Sequence, residues 1–137
     1  MKFAAAVLSL AVCVQPAIAQ DSATSTQAAA AAAEAWLPLV DGADYAASWS
    51  RTAASFRSLV TQQQWNDAMR KTRAPYGAVR SRSFLRAHHT TSLPNAPAGE
   101  YVVIQYQTEF ANKAGVETVV PMREPDGSWK VSGYYIK

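Results

Sequence analysis

The stretch Tyr101–Phe110, which reads YVVIQYQTEF, decides the fold because its side chains alternate in character with a period of two. Every second residue belongs to one mainly apolar series, Val102, Ile104, Tyr106, Thr108 and Phe110. Successive side chains of a strand point to opposite faces of its sheet. The period therefore predicts a strand with one face on a core and the other face mostly polar.

Three further segments of the C-terminal half predict strands, at residues 79–89, 116–123 and 129–136. Residues 111–115 form a hairpin-like connector between the strand at 101–110 and the one at 116–123. Residues 124–127, Glu-Pro-Asp-Gly, form a turn in which proline presets one backbone angle and glycine allows a positive one. Short connections of this kind join antiparallel neighbours, so we expect a four-stranded antiparallel meander.

The N-terminal half predicts three helices. The first runs from an alanine-rich segment at residue 28 to residue 40, because alanine is the best helix former. The second covers residues 45–60, where apolar residues recur every three or four positions. The third opens with a capping box at Thr61 and Gln64 and ends before Pro75. Helices followed by strands predict an α+β fold, with the three helices packed on one face of the sheet.

The apolar faces of the first two helices follow from this spacing. The first face comprises Ala29, Ala33, Trp36, Leu37 and Val40. The second face comprises Tyr45, Trp49, Ala53, Phe56 and Val60. We expect both series to contribute to the core.

The start of the chain has the features of a signal peptide. Lys2 precedes an apolar run over residues 3–14, and Ala17-x-Ala19 is the small-residue pattern that signal peptidase cuts after. The apolar run is shorter than the roughly 20 residues that a membrane-spanning helix needs. We therefore expect cleavage after Ala19, no transmembrane segment in the mature chain, and a periplasmic or secreted protein.

The cleavage site divides the chain into residues 1–19 as signal peptide, residues 20–27 as a polar, flexible tether, and residues 28–137 as a single domain. A lipoprotein signal at Cys13 is the alternative, but Val12 is too bulky for the position before a lipidated cysteine. Cys13 is the only cysteine, so its removal leaves no thiol or disulfide chemistry.

The charge is nearly balanced but unevenly distributed. Removing Lys2 lowers the formal net charge from +3 to +2, and residues 51–86 carry eight basic side chains against the single acid Asp67. A nucleic-acid partner is disfavoured, because binders of nucleic acid carry a strong positive balance. The basic segment instead suggests a smaller anion as the ligand.

Residues 79–89, VRSRSFLRAHH, concentrate arginine on the first predicted strand. One interpretation is a stripe that binds the phosphate or carboxylate of an anionic ligand through planar guanidinium groups. The favoured one is a solvent-facing strand whose arginines pair across the sheet, at about 0.2–1 kcal/mol for each pair. The side chains expected to share one face are Arg80, Arg82, Phe84, Arg86 and His88. Their candidate cross-strand partners are Gln107, Glu109 and Glu117.

Arg73, at the end of the third predicted helix, is another candidate for ligand binding. A cation there interacts favourably with the negative end of the helix dipole. Buried carbonyls or a carboxylate such as Glu117 are candidate partners for it. A buried structural ion pair is the favoured interpretation, and a clamp for a ligand carboxylate or phosphate is the alternative. Most aromatic residues are expected to belong to the core. Three tyrosines near strand ends are candidates to line a cleft instead: Tyr101, Tyr134 and Tyr135.

The sequence predicts no metal site and no cofactor. His88 and His89 are adjacent on a strand and point to opposite faces, so they do not chelate one ion. Asp41, Asp44 and Tyr45 have the chemistry of an acid, a base and a hydrogen-bond donor. Asp41 and Asp44 are better explained as residues at helix ends, and Tyr45 as part of an apolar helix face. No serine lies in a nucleophile elbow.

An ordered series of landmarks resembles the family catalogued as domain of unknown function 4019, over nearly all of the mature chain. The series comprises Trp36-Leu37, Val40-Asp41-x-x-x-Tyr45-x-x-Ser48-Trp49, Phe56, Trp65, Arg73-x-Pro75-x-Gly77, Ser81-Arg82, Pro97-x-Gly99-x-Tyr101, Phe110-x-x-Lys113, Glu117-Thr118, Asp126-Gly127-x-Trp129-Lys130-Val131 and Gly133-Tyr134. Tyr76 stands where the pattern has a leucine. The resemblance implies a periplasmic protein with a cystatin-like or nuclear-transport-factor-like (NTF-like) cone of helices and curved sheet. It implies no activity.

These observations predict an exported, non-catalytic binding or accessory module for an envelope anion, a peptide or a partner protein. The alternative is an isomerase or hydratase that uses a pocket carboxylate and a tyrosine between sheet and helices, which rests on analogy of fold. Self-association through the sheet into a homodimer is a third possibility. The ligand-binding candidates are Arg73, Arg80, Arg82, Arg86, Glu117, Tyr101 and Tyr135.

Overall fold

The computed structural model describes residues 17–137. Most of the predicted signal peptide, including Cys13, lies outside the described residues. The helices are α1 (Ala17–Asp41), α2 (Tyr45–Ser50), α3 (Ala54–Leu59) and α4 (Gln62–Arg73), and the strands are β1 (Val79–Thr90), β2 (Tyr101–Phe110), β3 (Ala114–Arg123) and β4 (Trp129–Ile136). No helix within residues 17–137 combines the length and the hydropathy needed to cross a membrane.

The strands form one antiparallel sheet in the order β1-β2-β3-β4. The α+β class and the four-stranded meander are therefore confirmed. The apolar series of β2 is buried on the face that packs against α1, as its period of two predicts. We call this the inner face and the opposite one the outer face.

Helix α1 covers the inner face with the residues that the sequence predicts. Ala29, Ala33, Trp36, Leu37 and Val40 are all buried and belong to the main hydrophobic cluster. Small alanines allow the helix backbone to approach the sheet closely, and the larger side chains fill the space toward its C-terminal end. The alanine run is thus the sheet-facing part of a packed helix.

Helix α1 begins earlier than expected, at Ala17, so the segment 20–27 that the sequence suggested as a flexible tether is helical. Two hydroxyl groups bond back to the preceding turn, Thr24 Oγ1 to the Gln20 carbonyl at 3.0 Å and Thr26 Oγ1 to the Ser22 carbonyl at 2.8 Å. Small polar residues indicate a tether by composition, but such local bonds let them continue a helix.

The second predicted helix is divided into α2 and α3, so the described chain has four helices where three were expected. The break falls at residues 51–53, where the Ala53 N–H donates to the Val131 carbonyl of β4 at 2.8 Å. Thr52 Oγ1 bonds to the Trp49 carbonyl and supports the turn. The apolar spacing continues through the break, which is why the sequence pattern did not reveal it.

Strand β1 contains two irregularities in its pairing with β2, between Val79 and Ser81 and between Phe84 and Arg86. The prediction that Arg80, Arg82 and Arg86 share one face is therefore wrong. Arg82 lies opposite the buried Thr108 on the inner face, whereas Arg86 lies opposite Gln105 on the outer face. An extra residue in one strand reverses every side chain beyond it.

A polar cluster around Glu100 attaches the first turns of α1 to the sheet. The Glu100 carboxylate bonds to His89 Nε2 at 2.8 Å, to Ser25 Oγ at 2.8 Å and to Arg123 Nη1 at 3.1 Å. The hydrogen bond to His89, followed by those to Ser25 and Arg123, lowers the pKa of Glu100 from 4.5 to about 2. Helix α1, β1 and β3 thus meet at one ionised carboxylate.

We predict that Glu100→Gln lowers the melting temperature at neutral pH, and that its difference from wild type shrinks as the pH falls from about 4.5 to about 2. A carboxyl group with a depressed folded-state pKa stabilises the fold above its unfolded pKa, and this contribution is lost as pH falls through the folded value. Thermal unfolding followed by circular dichroism across this range measures the difference. The exposed Glu34→Gln serves as control, and a difference for Glu100→Gln that is constant with pH would contradict the assignment.

Candidate functional site

A network of two arginines and two carboxylates joins the helices to the inner face of the sheet, with Arg73 and Glu117 buried and Arg82 and Asp41 half-buried. Arg82 donates from Nε to Glu117 Oε1 at 2.7 Å and from Nη1 to Asp41 Oδ2 at 2.8 Å. Arg73 donates from Nη2 to Asp41 Oδ1 at 3.1 Å and from Nη1 to Glu117 Oε2 at 3.4 Å. Each arginine therefore bridges both acids, and the charges balance.

Glu117 is the centre of this network and is fully buried. Besides the two guanidinium groups, it accepts hydrogen bonds from the hydroxyls of Thr108 and Tyr134. The Tyr134 hydroxyl also accepts from Arg73 Nη1 at 2.9 Å. Burial, together with the negative charge of Glu117, raises the pKa of Tyr134, which therefore stays a neutral donor.

The pKa of Arg82 shows that its ion pairs outweigh its desolvation. Burial acts to lower that pKa, but hydrogen bonds to Asp41 and Glu117 reverse the effect and raise it above the ordinary value. The guanidinium group is consequently a permanent charge whose Nε and both Nη atoms already contact carboxylates.

The four charged groups and Tyr134 come from five different elements, and Thr108 adds a hydrogen bond from a sixth, β2. Asp41 ends α1, Arg73 ends α4, Arg82 lies on β1, Glu117 on β3 and Tyr134 on β4. Arg73 also lies over the ring of Phe110 on β2, with its Cζ 5.4 Å from the ring centroid. The inward orientation of Arg82 follows from its pairing with Thr108, and that of Glu117 from its pairing with Tyr106.

The network is suited to holding the fold together. A ligand anion at Arg73 or Arg82 would have to displace Asp41 or Glu117, since these carboxylates occupy the guanidinium groups. Proton transfer by Glu117 would require a substrate to replace one of its present donors. The geometry therefore favours the structural interpretation of the Arg73–Glu117 contact over a ligand clamp.

The outer face of the sheet carries a different feature, a half-open groove of about 600 Å³. Helix α3 and the loop between β1 and β2 form its walls, and β2, β3 and β4 form its floor. Its apolar lining includes Phe56, Leu59, Leu93, Pro97, Val103 and Val120. None of the side chains that line it carries a charge at neutral pH.

Tyr101 and Tyr135, which the sequence marked as cleft candidates, both line this groove. Tyr101 is almost fully buried and donates its hydroxyl to the Pro97 carbonyl at 2.6 Å, which attaches the loop to β2. Burial raises the pKa of Tyr101. Tyr135 is 60% exposed, and its ring passes over Gly133, where a Cβ atom would lie 3.4 Å from Tyr135 Cε2.

The remaining candidates lie on β1, away from both features. Arg80 and Arg86 are exposed, and Arg86 Nε donates to Gln105 Oε1 at 2.6 Å. His88 and His89 lie on opposite faces, and only His89 reaches the Glu100 cluster. The seven sequence candidates thus separate into an internal network, a groove and a strand surface.

Sequence reasoning missed two members of the network and most of the groove. Asp41 was interpreted as a helix end and Tyr134 as a possible cleft residue, whereas both contact Arg73. The sequence placed Asp41 at the end of a helix, but only the structure shows that this end lies beside Arg73 at the C-terminal end of α4. No sequence pattern predicted the groove, because α3 and the β1–β2 loop meet only in the folded chain.

The described residues define a class of small α+β protein in which α1 covers one face of an antiparallel meander and a largely buried ion network joins the helices to that face. The chain matches the model of the family described as "Protein of unknown function (DUF4019)" over residues 32–134, and it belongs to this family. No curated protein and no solved structure gives a significant match. The cystatin-like or NTF-like cone stays a prediction.

We predict that Glu117→Gln lowers the free energy of unfolding by about 3–5 kcal/mol, because it leaves the buried charge of Arg73 and the half-buried charge of Arg82 only partly compensated. Urea denaturation measures the change. Glu109→Gln, at an exposed position of β2, is the matched control and should change stability by less than about 0.5 kcal/mol. Equal effects of the two substitutions would contradict the structural role of the network.

Proposed function

We propose that this protein is an exported binding module that holds an uncharged, mainly apolar small molecule in the groove of its outer face. The observation that carries the proposal is an apolar groove without a charged lining residue, on the sheet face opposite α1. Support for export comes from the signal-peptide features of residues 1–19. Tyr101 and Tyr135 are the proposed contacts among the residues that the sequence singled out.

The size and openness of the groove support a small molecule as its occupant. Ligand sites typically measure about 300–1,000 Å³ and combine an apolar lining with a few polar groups. Here the polar groups include the amide of Asn95 and the hydroxyls of Ser55, Thr118, Ser132 and Tyr135. Such groups orient a ligand by hydrogen bonds without requiring it to carry a charge.

The lining also favours a neutral ligand over the envelope anion that the arginines suggested. A charged ligand entering this groove would lose hydration without gaining an opposite charge from the lining. Leu59 is 76% exposed at the rim, and the Tyr135 ring is partly exposed. Covering these two side chains would remove apolar surface from water, which stabilises a complex by about 25 cal/mol for each Å².

We predict saturable binding of N-phenylnaphthylamine, a neutral dye whose fluorescence rises in apolar surroundings. Leu59→Asp should weaken this binding at least about fivefold, which corresponds to about 1 kcal/mol, because it places a charge at the rim. Anilinonaphthalene sulfonate, which has similar rings and a negative charge, should bind more weakly than the neutral dye. Fluorescence titration of both dyes measures these differences.

Leu85→Asp is the matched control, since Leu85 is also exposed, at 49%, but does not line the groove. It should leave dye binding unchanged, and circular dichroism should show that both variants are folded. The proposal fails if the neutral dye does not bind, if the two leucine variants behave alike, or if the anionic dye binds more tightly.

A further inference from the structure

The rest of the fold covers the two edges of the sheet to different extents. The edge formed by β4 is covered in part, because the Ala53 N–H bonds to the Val131 carbonyl where the chain passes from α2 to α3. The edge formed by β1 hydrogen-bonds with β2 on one side, and no other segment of residues 17–137 pairs with it. Such an edge presents a row of backbone donors and acceptors to solvent.

The side chains around the middle of β1 add apolar and positive surface to this edge. Phe84 is 58% exposed and Leu85 is 49% exposed. Arg80 and Arg86 are also exposed, and neither forms an ion pair with an acid of the described chain. Strand β1 itself contains no acidic residue. The edge is therefore apolar at its centre and cationic on both sides of it.

Charges and irregular pairing are also the means by which proteins protect an edge from aggregation. That protection acts against a second copy of the same strand, because two β1 edges would bring their arginines close together. It does not act against an acidic strand, whose carboxylates would face Arg80 and Arg86. The segments 81–84 and 86–90 are regularly paired with β2 and offer extended backbone for such a partner.

We propose that the free edge of β1 binds an extended, acidic segment of a partner protein by strand addition. The partner strand would bond to the outer backbone groups of β1, place carboxylates near Arg80 and Arg86, and cover Phe84 or Leu85 with an apolar side chain. Main-chain bonds supply affinity in this mode of recognition, and side chains supply specificity. The edge is separate from the groove, so this inference does not rest on the proposed function.

The test uses a short fluorescein-labelled peptide of alternating glutamate and valine, long enough to span β1. Fluorescence anisotropy should show saturable binding, and hydrogen exchange of β1 amides should slow on addition of the peptide. The double variant Arg80→Glu with Arg86→Glu should weaken binding at least about tenfold, because it replaces attraction by repulsion. Neither arginine belongs to the network, so we expect the variant to fold.

Two controls separate strand addition from general attraction between charges. The double variant Arg51→Glu with Arg70→Glu makes the same change in net charge at exposed positions outside the sheet, and should retain binding. The same peptide with N-methyl groups on every residue keeps its carboxylates but loses its backbone donors on both edges, and should not bind.

Three results would overturn the proposal. One is the absence of binding at about 1 mM peptide, a concentration that corresponds to a very weak complex. Another is equal binding of the N-methylated peptide, which would show that charge alone is responsible. The third is a dimer of the free protein, seen by analytical ultracentrifugation and abolished by Arg80→Glu with Arg86→Glu, which would assign the edge to a second copy.

Discussion

The carboxylate of Glu117 is the constraint on which the rest of this fold depends. It lies in the interior, where an unpaired charge is strongly unfavourable, so Arg73 and Arg82 must both reach it. Those two arginines belong to α4 and β1, and both also hold Asp41 at the end of α1. Satisfying one buried charge thus fixes where two helices end on the sheet.

Such a network orients the fold more than it stabilises it. Apolar residues of similar volume often stabilise a core as well as a buried ion pair does, because desolvation offsets most of the attraction. Hydrocarbon contacts, however, tolerate small shifts of a helix along a sheet, whereas hydrogen bonds from two guanidinium groups do not. Ala29 and Ala33 offer little shape to fix the register of α1, so Asp41 at its end and Ser25 in the Glu100 cluster both help to fix it.

The sequence predicted the parts of the fold that depend on local periodicity. The alternation in β2, the apolar face of α1 and the capping box at Thr61 and Gln64 are all confirmed. The sequence did not predict the features that depend on backbone hydrogen bonds between distant segments. The break between α2 and α3 depends on a carbonyl of β4, and the irregularities of β1 depend on its register with β2.

The same limit explains why the candidate site was predicted only in part. The position of Arg73 at the end of a helix, together with the family resemblance, made Glu117 a candidate partner, and the structure shows this contact. The face of Arg82 could not be predicted, because one extra residue at Arg80 or Leu85 changes which side chains point inward. Arginine spacing alone therefore does not distinguish a buried ion pair from a surface that binds ligands.

The network also determines which surfaces of the protein remain available to bind other molecules. With Arg73, Arg82 and both carboxylates committed to one another, the inner face has its helices fixed and its charges balanced. The outer face receives no long helix, and only α3 and the β1–β2 loop border it. Arg80 and Arg86, which the irregularities of β1 exclude from the network, are left in solvent at an open edge. One sheet thus separates two tasks: its inner face holds the structure together, while its outer face and free edge present the neutral groove and the cationic strand.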